Sequence, residues 1–95
     1  MTPEGRVKEE VKKLLKKFGV YYFMPVQTGM GKPGLDFYCC LEGRFFAIET
    51  KAEGGRPTPR QRRTMDEIEA AGGAVFLIDG DAGIYALQNQ LDEHL

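Results

Sequence analysis

The sequence has little of what several common kinds of protein site require. Among its 95 residues there is one histidine, His94, and there are two cysteines, Cys39 and Cys40. The cysteines are adjacent within an apolar segment and have no partner elsewhere, which argues against a structural disulfide or a zinc site. We interpret them as small core residues in a reducing cytoplasm. A single histidine also disfavours a catalytic site built on histidines.

The sequence also lacks a signal peptide, an apolar run long enough to cross a membrane, and any low-complexity tract. Its formal net charge of −1 argues against a broadly basic coat, so local patches must attract any anionic ligand. One patch is a lysine run, which can equally be a solvated helix face. The other is a group of arginines near a predicted helix start, where guanidinium groups suit phosphate contacts. The patches are Lys8, Lys12, Lys13, Lys16 and Lys17, and Arg56, Arg60, Arg62 and Arg63.

The length and the 42% hydrophobic content predict a single domain over residues 1–95 with one core, for which homodimerisation is a natural supplement. Apolar spacing and turn residues predict the element order αβββαβα, an α/β fold. The helices are predicted at 4–18, from Thr58 and Pro59 to Gly72, and at 84–95. The strands are predicted at 20–27, 35–41, 44–51 and 74–78.

Two of the predicted strands form a hairpin that brings two acids together. Only Glu42 and Gly43 separate the strands, which suits a two-residue turn. In that register Asp36 lies opposite Glu49 on one sheet face, with Cβ atoms about 4.5–5.5 Å apart. Two such carboxylates repel unless a cation lies between them. The strands are otherwise apolar, which favours a divalent metal site over an exposed polar stripe.

Lys51 follows Glu49 by two residues, so the strand period returns its ammonium to the same face, within reach of a substrate oxygen. The alternative is an ordinary Glu–Lys surface pair, which contributes roughly 0–1 kcal/mol. Taken together, two acids and an amine point to metal-dependent cleavage of nucleic acid.

Two further residues have more than one interpretation. Glu4 projects towards the apolar side of the first helix and is a candidate third acid, or it is a carboxylate that stabilises the helix N-terminus. Glu10 is the alternative helix acid. Gln61 either completes a capping box with Thr58 or belongs to the site.

The loop from Thr28 to Gly34 contains Gly31 and Lys32, but Pro33 stands where a P-loop needs Ser or Thr, and no helix follows directly. We therefore interpret the loop as a turn in which Lys32 is a candidate DNA contact.

The segments Gly34-Leu35-Asp36, Glu49-Thr50-Lys51 and Gln61 resemble the VRR-NUC family of the PD-(D/E)XK nuclease superfamily. The resemblance extends from Glu4 to about Ile78. The spacings between these segments are similar to those in standalone phage and bacterial members. Two departures are Leu35, where a proline often precedes the aspartate, and Thr50 at the variable position of the motif. Neither removes a functional group.

The resemblance implies a mixed sheet flanked by helices and a nuclease that uses Mg²⁺ or Mn²⁺. It implies that Asp36, Glu49 and Glu4 are metal ligands and that Lys51 and Gln61 are further catalytic residues. It also implies a DNA partner, with the arginine group and Lys32 as DNA contacts. The leading expectation is a homodimeric Holliday-junction resolvase in a bacterial or phage-infected cell, acting in recombination or repair. The alternatives are a nuclease for flaps or duplex ends, and a non-catalytic DNA-binding module of the same fold.

Overall fold

The computed structural model describes residues 1–26 and 34–93, and within them the chain forms three helices and four strands. Their order is the predicted αβββαβα. The helices are α1 (Pro3–Lys17), α2 (Pro59–Ala70) and α3 (Asp81–Asp92). The strands are β1 (Tyr21–Phe23), β2 (Phe37–Leu41), β3 (Arg44–Thr50) and β4 (Ala74–Ile78).

The four strands form one mixed sheet in the order β1-β2-β3-β4. The pairs β1–β2 and β2–β3 are antiparallel, whereas β4 returns through α2 to lie parallel to β3. The β2–β3 hairpin has the predicted register, in which Leu41 pairs with Arg44. Its turn residues Glu42 and Gly43 both have positive φ, at 51° and 81°, as a type I′ turn requires.

Three strands are shorter than predicted. β2 begins at Phe37 rather than Leu35, because the backbone N–H of Asp36 donates to Glu49 Oε1 instead of to a neighbouring strand. β1 begins after Val20, whose N–H donates to the carbonyl of Leu15 at the end of α1. β3 ends at Thr50 rather than Lys51. β1 also ends at Phe23, although the prediction continued the strand to Gln27, which lies outside the described residues.

The helices begin at the predicted signals or earlier. Thr2 caps α1 by accepting from the Gly5 N–H at 3.0 Å. α3 begins at Asp81, three residues before the predicted start, and so includes Gly83. A Cβ at Gly83 would lie 3.3 Å from the Cα of Ile78, so this glycine permits close packing of α3 on β4. Leu95 lies outside the described residues.

The core lies on both faces of the sheet. The larger cluster joins α1 and α3 to one face, where Val11, Leu15, Leu87 and Leu91 pack with Phe37, Phe46, Ile48 and Ile78. The smaller cluster lies under α2 and consists of Met65 with Leu35 and Ala47. No helix within residues 1–26 and 34–93 is long and apolar enough to cross a membrane. The sheet is therefore held between two helical layers, and the charged ends of β2 and β3 emerge between them.

Candidate active site

Asp36 lies at the bend before β2, and both of its carboxylate oxygens have partners. Oδ2 accepts from the backbone N–H of Thr50 at 3.0 Å and from the Thr50 hydroxyl at 2.6 Å. Oδ1 lies 3.5 Å from the ammonium of Lys8 on α1. The side chain is only 14% exposed. These contacts fix the carboxylate at the end of the hairpin.

Glu49 is the buried acid of the site, with 2% of its surface exposed. Oε1 accepts from the Asp36 N–H at 3.2 Å, and Oε2 accepts from Gln61 Nε2 at 2.8 Å. Burial, and after it the negative charge of Asp36, raises the pKa of Glu49 to about 7, although Lys51 and the Asp36 N–H act in the opposite direction. The surroundings therefore leave part of the negative charge of Glu49 uncompensated.

Lys51 and Gln61 complete the contacts of Glu49. The ammonium of Lys51 lies 3.5 Å from Glu49 Oε2, so the two residues share a side of the strand as their spacing predicts. Gln61 makes the capping contacts and also contacts Glu49. Its backbone N–H donates to Thr58 Oγ1 and its Oε1 accepts from the Thr58 N–H, while its amide nitrogen reaches Glu49. The α2 cap and the site are thus one hydrogen-bonded unit.

The hairpin register predicts that the two acids lie side by side on one sheet face. In the structure they do not. Glu49 faces α2, as its contact with Gln61 shows. The Asp36 carboxylate turns towards the α1 side, to Thr50 and Lys8. The difference arises because Asp36 precedes the first paired residue of β2, where strand alternation no longer fixes the direction of its side chain. The acids therefore meet around the end of the sheet.

The structure does not bring Glu4 to the acids as a third metal ligand. Within the described residues, no three Asp, Glu, His or Cys side chains form a group that could hold a metal ion. Glu4 is partly exposed in the first turn of α1, one helical turn before Lys8. Lys8 is instead the α1 residue that contacts Asp36. The alternative acid, Glu10, pairs with Lys13 at 3.5 Å on the exposed side of the helix.

The donor chemistry of the site suits a hard divalent cation. Asp36 and Glu49 offer carboxylate oxygens, and Mg²⁺ is commonly held by one or two carboxylates while it keeps several waters. The raised pKa of Glu49 indicates a carboxylate that a further positive charge would stabilise. The residues present therefore fit a metal ion held by two acids.

The four arginines predicted to contact DNA lie in, or just before, the first turns of α2, the helix that carries Gln61. All four arginines are exposed, with Arg56 in the loop before α2 and Arg60, Arg62 and Arg63 within its first turns. Lys32 lies outside the described residues.

Two contacts at the candidate site were not predicted from the sequence. Thr50 was treated only as the variable residue between Glu49 and Lys51, yet it holds Asp36 through both its backbone and its hydroxyl. Lys8 was grouped with the other lysines of α1 as part of a basic surface. A weak signal was available for Lys8, because it is adjacent to the buried Val7 and one turn after Glu4, on the side of the helix that approaches the sheet.

Comparison with known proteins supports the predicted family. No protein-family model matches the sequence, and no curated protein is significantly similar to it. Among solved structures, one described as a VRR-NUC domain superposes with a TM-score of 0.75 and 25% sequence identity. The match covers 99% of this chain and 98% of that one. The predicted resemblance to the VRR-NUC family and the PD-(D/E)XK-like fold class are confirmed.

Proposed function

We propose that this VRR-NUC-like chain is a metal-dependent DNA endonuclease that hydrolyses phosphodiester bonds, with Mg²⁺ or Mn²⁺ as its cofactor. The observation that carries the proposal is the meeting of Asp36, Glu49, Lys51 and Gln61 at one end of the sheet. The similarity to a VRR-NUC domain supports a nuclease-type function and DNA binding. The specific reaction and the metal belong to the proposal.

Each residue has a role that follows from its contacts. Asp36 and Glu49 would hold the cation, which when bound lowers the pKa of a coordinated water and stabilises charge on the phosphate. Thr50 and Gln61 fix the two carboxylates, so little reorganisation is needed when the substrate arrives. The ammonium of Lys51 either orients the nucleophile or neutralises charge that develops on a phosphate oxygen. In this proposal Glu4 lies on α1 outside the metal site.

We further propose a homodimer that cuts four-way junctions. The described residues bring together one such group of side chains, and paired cuts across a branched substrate need two sites related by a twofold axis. The exposed arginines at the start of α2 are suited to phosphates beside the site. Cys39 is buried in the core as predicted, whereas Cys40 is exposed on the other sheet face, so the prediction of two core cysteines is wrong for Cys40. A reducing cytoplasm remains part of the proposal.

The substrate is tested by comparing three labelled DNAs of matched length in Mg²⁺: a four-way junction, a flap and a linear duplex. Symmetric cuts near the crossover, with little cutting of the duplex, are expected of a resolvase. Preferred cutting of the flap would replace the junction with a flap as substrate. Equal cutting of all three would remove structure selectivity altogether. Sedimentation of the junction complex would show whether two chains are bound.

One observation favours a second candidate, a DNA-binding module without catalysis. Both acids already have a lysine partner at 3.5 Å, Lys8 for Asp36 and Lys51 for Glu49, so each could be purely structural. The raised pKa of Glu49 speaks against complete pairing. Such a module would bind the junction equally well in EDTA and in Mg²⁺, yield no product, and lose affinity steeply with salt.

A further inference from the structure

α2 covers only part of the sheet face on which it packs. Cross-strand register aligns Tyr21 with Cys40 and Cys40 with Phe45, and it aligns Phe23 with Tyr38. Paired residues share a face, so these residues lie on one surface. It is the face of Ala47, which packs under α2. Four aromatic residues, Tyr21, Phe23, Tyr38 and Phe45, thus lie beside the part of the sheet that the helix covers.

The aromatic rings on this face are exposed to an unusual degree. Tyr21, Phe23 and Phe45 are 73%, 56% and 46% exposed, and Tyr38 is half-buried. The rings of Tyr38 and Phe45 stack with centroids 6.1 Å apart and an angle of 24° between their planes. On the opposite face of the same strands, Tyr22, Cys39 and Phe46 pack against the α1 and α3 core. Exposed aromatic surface of this extent commonly marks a binding site.

A groove runs between this face and α2. Tyr38 and Phe45 line the sheet side, while Thr64, Glu67 and Ile68 line the helix side. Arg60 lies one helical turn before Thr64, so it stands on the same side of the helix at the end nearer the active site. The groove therefore has an aromatic wall and a helical wall that carries one acid, and the exposed Arg60 lies beyond it on the same side of α2.

The groove lies on the same side of the sheet as Glu49, and the buried Ala47 and Met65 under α2 separate the two. Phe45 and Glu49 point to the same side of β3, four residues or about 13 Å apart. Gln61, next to Arg60, donates to Glu49. A DNA strand seated in the groove would therefore lie on the side of the sheet that carries Glu49 and Gln61, at about this distance from them.

We propose that this groove, together with the exposed rings of Tyr21 and Phe23 beside it, binds unpaired nucleotides of a DNA strand near the bond that is cut. The proposal rests on the proposed nuclease function and adds the feature of a branched substrate that the protein recognises. Aromatic side chains that stack on bases, beside basic groups that contact the backbone, are the common basis of single-strand binding. A duplex hides its base faces and would leave the rings unused. An interface with a second copy would use the same rings as apolar surface, and the test separates the two.

Binding is measured by fluorescence anisotropy with labelled dT12 and a 12-base-pair duplex, in EDTA so that no cutting occurs. The variants are Phe45→Leu, Phe45→Trp and Phe23→Leu, with Tyr85→Ala as control. Tyr85 is 66% exposed but lies on α3, on the other side of the sheet. Leucine keeps the apolar surface and removes stacking, whereas tryptophan keeps both. Thermal unfolding of each variant shows whether it is folded.

We expect Phe45→Leu and Phe23→Leu each to weaken dT12 binding at least about fivefold, as loss of one stacked base implies. Phe45→Trp and Tyr85→Ala should bind like the parent chain, and duplex binding should not change. Unchanged dT12 binding in both leucine variants would overturn the proposal. So would a shift in sedimentation caused by an additional variant, Phe45→Ala, which removes the apolar surface, if dT12 binding were kept, because that result identifies a contact between copies.

The proposed groove and the proposed nuclease function can fail independently, and the experiments distinguish the two failures. Ring-dependent binding of dT12 without cleavage of any DNA in Mg²⁺ or Mn²⁺ would support the groove and refute the nuclease. Cleavage that needs Asp36, together with dT12 binding that is unchanged when the rings are replaced, would support the nuclease and refute the groove.

Discussion

The hydroxyl of Thr50 donates to Asp36 Oδ2 at 2.6 Å, and the backbone N–H of Thr50 donates to the same oxygen at 3.0 Å. Thr50 is fully buried, so it cannot exchange this contact for one with water. Thr50, which lies between Glu49 and Lys51 in the sequence, therefore holds Asp36 in place.

Thr50→Val should lower the free energy of unfolding by about 1–3 kcal/mol in EDTA at pH 7, because it keeps the side-chain shape and removes a hydrogen bond to a charged acceptor. Urea unfolding measures the change. In an Asp36→Ala background the same substitution should cost much less, since its partner is gone. An equal cost in both backgrounds would show that the hydroxyl does not stabilise Asp36.

Gln61 variants should separate helix capping from support of the site. Glutamate is the other residue typical of the capping-box position, so Gln61→Glu keeps the cap. It also puts a second acid beside the buried Glu49 and should weaken the protein above pH 7. Gln61→Ala removes both contacts and should cost about 1–2 kcal/mol at any pH near neutrality. Chemical unfolding at pH 6 and pH 8 compares them, and identical pH behaviour of the two variants would contradict the Gln61–Glu49 contact.

Lys8 should oppose metal binding, because its ammonium lies 3.5 Å from Asp36 Oδ1 and a second cation at that carboxylate would be repelled. Replacing Lys8 with methionine should tighten Mn²⁺ binding by about threefold to tenfold, as measured by calorimetry or electron paramagnetic resonance. Lys13→Met is the matched control, since Lys13 pairs with Glu10 on the exposed side of the same helix. Equal effects of the two substitutions would reduce the role of Lys8 to general surface charge.

The metal-free protein should lose stability as the pH rises to neutrality. The pKa of Glu49 is about 7 in the folded chain and near 4.5 without the fold, so the folded state keeps a proton that the unfolded state releases between these values. This contribution to stability is present in full below pH 4.5 and is lost as the pH rises through 7. Glu49→Gln cannot titrate and should remove this slope. Urea unfolding in EDTA from pH 4.5 to 8 compares the two chains, and parallel curves would contradict the raised pKa.

The sequence predicted the fold well where local chemistry and periodicity agree. Glu42 and Gly43 predicted the hairpin register, the Thr58 cap predicted the start of α2, and the apolar run from Ala74 to Ile78 predicted β4 to the residue. Strand ends were less predictable, because they depend on where a side chain replaces a backbone partner, as Glu49 does for the Asp36 N–H.

Contacts within the candidate site were predicted where its residues share one strand or one cap, and were not predicted where they depend on packing between elements. The approach of Glu49, Lys51 and Gln61 follows from strand alternation and a capped helix start. The turn of Asp36 towards Thr50, and the arrival of Lys8 from α1, depend on how a bend and a helix pack at the end of the sheet. Sequence periodicity defines a side of a helix, but it does not determine which residue of that side reaches the site.

The most direct measurement is the rate of cleavage of labelled four-way-junction DNA in Mg²⁺, in Mn²⁺ and in EDTA, for the parent chain, Asp36→Asn, Lys51→Met and the control Lys13→Met. We predict cleavage in either metal, none in EDTA, loss of at least about a hundredfold in the two site variants, and a rate close to the parent for the control. Cleavage that persists in EDTA or in both site variants, or no cleavage of any DNA by the folded parent chain, would contradict a metal-dependent nuclease at this site.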